Sequence, residues 1–316
     1  MKRLTLRGSL LIAVIVVAVC SAAPVAAASF ETLYSFTGAS TGAYPQGPVV
    51  IGAGGVLYGT TYLGGTYGAG TVFSLTPPSS TGDAWTIAVL YEFTGGKDGA
   101  APESGLVVGP GGTLYGTTAL GGLSDFGAVF SLAPPESPGG AWSETVLYSF
   151  TGGNDGGTPF AGLLRATNGT LYGTTYNGGA NNNGGVAFAV FPPSSPGSPW
   201  TEKVLHTFGG AGDGAYPYAG LITSGGLLYG TTQDGGSFGA GTVFSLAPPA
   251  SAADAWTESV VYSFTGGSDG SAPIGRPASS TAPTEMFGYI ICWKQGIQNW
   301  THRKVALMSP RFVRRR

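Results

Sequence analysis

Leu57-Tyr58-Gly59-Thr60-Thr61 recurs at Leu114–Thr118, Leu171–Thr175 and Leu228–Thr232, each copy starting 57 residues after the one before. Spacing this regular is what one supersecondary unit stacked on copies of itself leaves in a sequence. The neighbours recur in the same order. A proline (Pro45, Pro102, Pro159, Pro217) and Gly-Leu steps such as Gly105-Leu106, Gly162-Leu163 and Gly220-Leu221 stand upstream. Downstream come Gly-Thr-Val-Phe-Ser-Leu at Gly70–Leu75 and Gly241–Leu246, with variants from Gly127 and Gly185, and then a proline pair. A tryptophan (Trp85, Trp142, Trp200, Trp256) opens the last run, which ends in Tyr-x-Phe or a close variant.

Each unit thus holds four short runs rich in Val, Tyr, Phe, Thr and Leu, separated by Gly, Pro, Asn and Asp clusters, which is a strand-and-turn signature. The first hairpin is the clearest: Asn168-Gly169 and the pairs Gly54-Gly55, Gly111-Gly112 and Gly225-Gly226 suit a two-residue primed turn, which demands positive φ. The last strand carries Val146, Tyr148 and Phe150 on one parity and Leu147 on the other, so both sheet faces are expected to be covered. A four-stranded meander covered on both faces by its own copies predicts an all-β, β-propeller-like array of four-stranded antiparallel blades. A parallel β-helix is the alternative, and its short coils suit four-strand units with hairpin turns poorly. Phe30–Phe36 repeats the final strand, and a fifth unit begins at Tyr262 and stops after Pro273, so an open or truncated ring is expected. In Leu-Tyr-Gly-Thr-Thr, Thr60 and its equivalents are expected to pack between blades, and Gly59 to admit a neighbouring sheet.

On the Leu-Tyr-Gly-Thr-Thr motif, the Gly-Gly loop after it and the Gly-Thr-Val-Phe strand, residues from about Phe30 to Gly275 resemble the GloVer-type tandem repeat family of secreted bacterial proteins. The resemblance implies an exported, propeller-like repeat protein. It carries over no catalytic residue and no established activity.

The flanks differ from the repeats. Lys2, Arg3 and Arg7 precede an apolar run from Leu10 to Cys20, and Ala26-Ala27-Ala28 satisfies the small-x-small rule for cleavage before Ser29. Residues 1–28 are therefore expected to be a signal peptide and the mature protein to be secreted, extracellular or periplasmic, with no stable transmembrane span. An uncleaved anchor is the alternative, although the run is shorter than the ~20 residues a span needs. With Cys20 removed, Cys292 is the only thiol, so no disulfide framework forms within one chain. Residues 29–275 carry a net charge of −12 and residues 276–316 one of +7. That reversal makes Arg276 a boundary. The basic tail is expected to be disordered or an aberrant continuation of the chain. It lacks the aromatic interleaving of a single-strand binder, and no nucleic-acid partner is expected.

Antiparallel connectivity gathers two sets of loops at one end of the units: the Asp-Gly loops and the Gly-Gly loops that follow Leu-Tyr-Gly-Thr-Thr. Binding usually lives on such loops. The side chains that vary between copies there, Tyr62, Tyr67, Asp125, Phe126, Tyr176, Asn177, Asn181, Gln233, Asp234 and Phe238, mix aromatic planes with amides and carboxylates. This mixture suits a carbohydrate, whose ring face stacks and whose hydroxyls bond; another surface protein is the other expected partner. Asp98, Asp155, Asp213 and Asp269 recur with a following glycine. Calcium would use such carboxylates, but one per loop is thin, and Asp-Gly is also an ordinary turn pair, which is the preferred reading. No other cofactor is expected.

Catalysis has little to rest on. His206 and His302 are the only histidines, His206 stands where sister units have tyrosine, and no His/Cys cluster of the usual zinc type is present. A glycosidase would need two carboxylates, for which Asp125 with Asp155 or Asp213 with Asp234 are the candidates. A binding scaffold is the expectation, with a carbohydrate-active enzyme and a purely structural or adhesive protein as alternatives.

Overall fold

A computed structural model describes residues 31–275 apart from 39, 81, 138, 211 and 252–254. The expected signal peptide, the basic tail and the strand-like Met286–Trp293 lie outside the described residues. The chain divides into Met1–Leu33, of which residues 31–33 are described and form no regular element, and Tyr34–Arg316, which holds everything that follows.

The architecture is all-β. The first unit forms a meander of β1 (Val50–Ile51), β2 (Leu57–Thr61), β3 (Thr71–Thr76) and β4 (Thr86–Glu92). The second repeats it with β5 (Val107–Val108), β6 (Leu114–Thr118), β7 (Ala128–Ala133) and β8 (Ser143–Ser149), and the third with β9 (Leu164–Arg165), β10 (Leu171–Thr175), β11 (Val186–Phe191) and β12 (Thr201–Thr207). In the fourth, a short pair of β13 (Gly214–Ala215) and β16 (Asp234–Gly235) accompanies the sheet of β14 (Ile222–Ser224), β15 (Leu227–Thr232), β17 (Thr242–Ala247) and β18 (Thr257–Ser263). All ladders between these strands are antiparallel, as hairpin turns require and the coils of a parallel β-helix do not provide.

The first hairpin meets its expectation in one unit. Ser224 pairs with Leu227 across Gly225 (φ 58) and Gly226 (φ 83), a two-residue turn with both residues at positive φ. In the third unit Asn168-Gly169 does not supply two such residues. The Ala166 amide donates to the Thr170 carbonyl, leaving a three-residue loop in which Gly169 has φ 90 and the Asn168 side chain accepts from the Thr170 amide. The first two units keep both Gly at positive φ but also close one residue later, through Gly52 to Val56 and Gly109 to Thr113.

Apolar residues on both parities of the last strand have a different cause from simple two-faced burial. The register slips between Val129 and Phe130, whose partners are Tyr148 and Val146, so Leu147 is the extra residue of a β-bulge. Equivalent slips recur in the other three sheets.

Successive sheets are joined by the same three contacts. The last Phe of one unit meets the β3-type Phe of the next: Phe93 to Phe130 at 5.1 Å and Phe150 to Phe188 at 5.0 Å edge-on, and Phe208 to Phe244 tilted at 4.8 Å. Phe36 takes this role on Phe73 at 4.9 Å, so the stray N-terminal segment packs like the end of a preceding unit without forming a strand. The motif tyrosine meets the next unit's tryptophan: Tyr58 with Trp142, Tyr115 with Trp200, Tyr172 with Trp256, at 6.1, 6.3 and 6.1 Å. Finally, the first motif threonine donates to a carbonyl of the next unit, Thr60 to Ser104, Thr117 to Ala161 and Thr174 to Ala219, at 2.7, 3.0 and 3.1 Å. The threonines therefore pack between units as expected.

The motif glycine does not mainly admit a neighbouring sheet. Gly116 pairs with Phe130 within its own sheet, and a Cβ there would lie 2.7 Å from the Phe130 ring tip. The missing side chain lets the buried Phe lie flat across its own hairpin, with Leu106 of the same unit at 2.8 Å.

Candidate functional site

The Asp-Gly loops are built by their own hydrogen bonds. Asp98 accepts the Tyr91 hydroxyl at 3.1 Å and the Thr94 amide at 2.7 Å on Oδ2, and the Thr94 hydroxyl at 2.5 Å on Oδ1. Asp155 does the same with Tyr148 and Thr151, and Asp269 with Tyr262 and Thr265. Three donors on one carboxylate favour its ionised form. Asp269 is held down at about 2, chiefly by the Thr265 hydroxyl. Burial and then the neighbouring Asp98 charge push the Tyr91 phenol well above its usual range.

These loops meet the Gly-Gly loops at one edge. Isolated bridges join Ala43 to Leu63, Ala100 to Leu120 and Gly157 to Asn177, and β13–β16 is the fourth copy of that bridge. The residue before each proline turns left-handed: Tyr44, Ala101, Thr158, Tyr216 and Ala272 have φ of 56, 55, 56, 59 and 49. This is a costly conformation for a side-chain-bearing residue, and a following proline discourages helical backbone further. Ala101, Thr158 and Tyr216 sit where two units meet. Tyr216 donates its amide to Gly184 O in the third unit's loop at 2.7 Å and accepts from the Gln233 amide in its own at 3.0 Å. Ala101 and Thr158 do likewise, so the rim loops of consecutive units are fixed to one another.

Several of the residues expected to bind ligand hold this rim together. Asp125 accepts the Gly121 amide at 2.9 Å, Asn181 donates to Thr207 O at 3.1 Å, and Asn177 donates to the Thr158 hydroxyl at 3.5 Å. Phe126 lies over Gly152 and Gly157. Tyr67 and Phe238 stand at equivalent loop tips, 62% and 64% exposed, on the first and fourth units. Tyr62 and Gln233 are half-buried.

Tyr176 is different. Its ring lies 5.3 Å from Phe160, 5.1 Å from Tyr216 and 6.2 Å from Tyr218, and Phe160 lies 5.1 Å from Tyr218. All four rings are half-buried, and they come from two units. Burial first, then the charges of Asp234 and Tyr216, push the Tyr176 phenol up; Asp234 pairs with Ala215, the residue before Tyr216. Phe160, Tyr216 and Tyr218 were missed by sequence reasoning. Their signal was available: they flank Pro159 and Pro217, where the first two units have no matching pair of rings.

A second, unexpected feature lies between the sheets. Glu144, Glu202 and Glu258 each follow a Trp-Ser or Trp-Thr step and reach back to the Asp of the unit before: Asp98, Asp155 and Asp213. One carboxylate oxygen of each is buried without a hydrogen-bond partner. Burial first and the Asp charge second push Glu144 and Glu202 up to about 7. Glu258 is also raised by burial and Asp213, with His206 opposing. In the first unit, Ile87 stands at the Glu position and Thr41 at that of the Asp, so both acids of that pair are absent together.

The Gloeobacter/Verrucomicrobia repeat matches residues 20–187 and, in a second overlapping register, 84–299. The chain belongs to that repeat family. No curated protein matches it. The overlapping matches of the Gloeobacter/Verrucomicrobia repeat are what a tandem array produces, since the same pattern fits again further along the chain. The third and fourth units depart most from the common pattern: one carries an extra residue between Leu171 and Gly185, and the other is one residue short between Pro217 and Leu228.

Proposed function

We propose that this chain is an exported scaffold whose sheets stand as blades of a propeller-like array, and that it binds carbohydrate at the rim where the third and fourth units meet. The four-ring cluster of Phe160, Tyr176, Tyr216 and Tyr218 carries the reading. A pyranose presents an apolar face to such rings, while Asp234, Gln233 and the tyrosine hydroxyls supply directional polar partners. The blade arrangement draws support from the Phe, Tyr–Trp and Thr contacts, which recur in equivalent form between successive units. Export rests on the basic, apolar and small-residue segments within residues 1–28. The enzyme alternative is weaker, because Asp125, Asp155 and Asp213 already accept hydrogen bonds from their own loops.

The full chain should retain neutral or basic glycans on an array, with Y176A and Y218A abolishing retention while leaving the β-type circular dichroism unchanged. Failure to retain any glycan, or retention equal in Y176A, would overturn the assignment.

A further inference from the structure

One interface is built unlike its sisters. The strand position filled by Tyr91, Tyr148 and Tyr262 is His206 in the third unit, and the loop threonine that saturates the Asp (Thr94, Thr151, Thr265) is Gly209. Two exchanges in the same unit thus act on the same carboxylate. Asp213 has lost both threonine donors and takes instead the Gly214 amide on Oδ1 at 2.6 Å, while its Oδ2 faces His206 Nε2 at 2.9 Å. Glu258 arrives from β18 of the fourth unit. One ligand atom from each of His206, Asp213 and Glu258 lies within 4.8 Å of the others, and Glu258 Oε1 is buried with no hydrogen-bond partner.

Where a phenol in the sister units donates and cannot readily coordinate, an imidazole nitrogen can bind a metal through its lone pair. One imidazole and two carboxylates converge on a point left partly open, with the His206 and Asp213 side chains 22% and 13% exposed. Three nitrogen and oxygen ligands with room for water in a fourth position are what a zinc-class ion accepts. An imidazole in the set selects against calcium and magnesium, which prefer oxygen.

We propose that His206, Asp213 and Glu258 form a binding site for one divalent transition-metal ion of the zinc class. The site joins the third unit to the fourth, because its ligands come from both. It is independent of the glycan site, since none of its residues belongs to the ring cluster.

The test uses the full chain stripped with EDTA and dialysed. Calorimetric titration with zinc chloride should show one equivalent bound through this cluster, and zinc should raise the melting temperature. H206Y restores the residue found in sister units, so its metal-free melting should match the wild type. Loss of a direct ligand should cost at least about the 10-fold in affinity seen when a supporting partner of a ligand is removed, in both H206Y and E258Q. Calcium chloride should bind at least about 10-fold more weakly than zinc. Absence of zinc binding in the wild type, undiminished binding in both variants, or equal affinity for calcium would each overturn the proposal.

Discussion

Replacing Glu144 and Glu202 with glutamine should stabilise the protein at pH 8 and remove most of its pH dependence between 5 and 8. Both carboxyls lie between units against an aspartate already committed to three hydrogen bonds. Their ordinary value is 4.5, and the folded value is about 7. Between those two pH values the folded protein therefore holds protons that the unfolded chain has released. Stability is greatest below the unfolded value, falls as pH rises, and has lost its full increment once pH passes the folded value. This is the reverse of an ordinary salt-bridged carboxylate.

The full shift in each group corresponds to about 3 kcal/mol, at about 1.4 kcal/mol for each tenfold change in proton affinity. Both groups are partly open to solvent, and screening reduces this to about 1–2 kcal/mol each. Two such groups give about 3 kcal/mol together, or roughly 6–12 °C in melting temperature for a domain of this size. Scanning calorimetry at half-unit steps of pH should show the wild-type melting temperature falling by that order from pH 5 to 8. E144Q/E202Q should keep only the smaller fall that Glu258 contributes and melt higher than wild type at pH 8. A wild-type profile that rises or stays level over this window, or a double variant with the wild-type slope, would refute the reasoning.

T117V removes the donor to Ala161 O and the contact with the Ser104 hydroxyl at a buried junction, and should cost about 1–3 kcal/mol by urea denaturation. T231V, at a half-buried copy whose bond to Pro273 O is 3.2 Å, should cost less. G116A places a methyl 2.7 Å from Phe130 and 2.8 Å from Leu106 and should cost about 1–3 kcal/mol, part of it recovered by adding F130L. In a bacterial secretion host, intact-mass measurement of the exported protein should show Ser29 as the first residue; an unprocessed or cytoplasmic product would contradict export.

The repeat and the strands were legible because they are encoded locally. Period, motif order and turn residues sit within a few positions of one another, and Trp142, Trp200 and Trp256 each meet the motif tyrosine of the unit before. Contacts that close the interfaces were harder to see. Thr117 finds its acceptor at Ala161, and Glu144 finds Asp98, in a neighbouring unit, so neither pairing shows in a single copy. The constant spacing also concealed two changes. The extra residue in the third unit's Gly-Gly loop and the shortened first hairpin of the fourth cancel, which is why Gly225-Gly226 makes the two-residue turn where the others make longer ones. Asp125 and the asparagines were read for their polarity, and the backbone of tight loops absorbs that polarity first, because buried amides must be paired.

The same accounting separates scaffold from function. The recurring phenylalanine and threonine are consumed by contacts with the next copy, a ring and a carbonyl respectively, and the motif glycine leaves room for its own sheet's phenylalanine. Such positions can carry no unit-specific ligand, because the chemistry would be needed several times over in identical surroundings. Specific function must then sit where a unit breaks the pattern. The third and fourth units supply such breaks twice, at the rings, with Phe160 and Tyr176 against Tyr216 and Tyr218, and at the third unit's His206 and Gly209, which face a glutamate position that recurs. The first interface shows the complementary case. There Thr41 and Ile87 replace the acidic pair together, so the first interface carries neither the buried carboxyl nor the aspartate charge that pushes it up. Restoring the glutamate alone, as in I87E, should therefore destabilise the first interface at neutral pH through its burial, and T41D/I87E should steepen the fall in melting temperature between pH 5 and 8, because the second charge pushes the carboxyl up further.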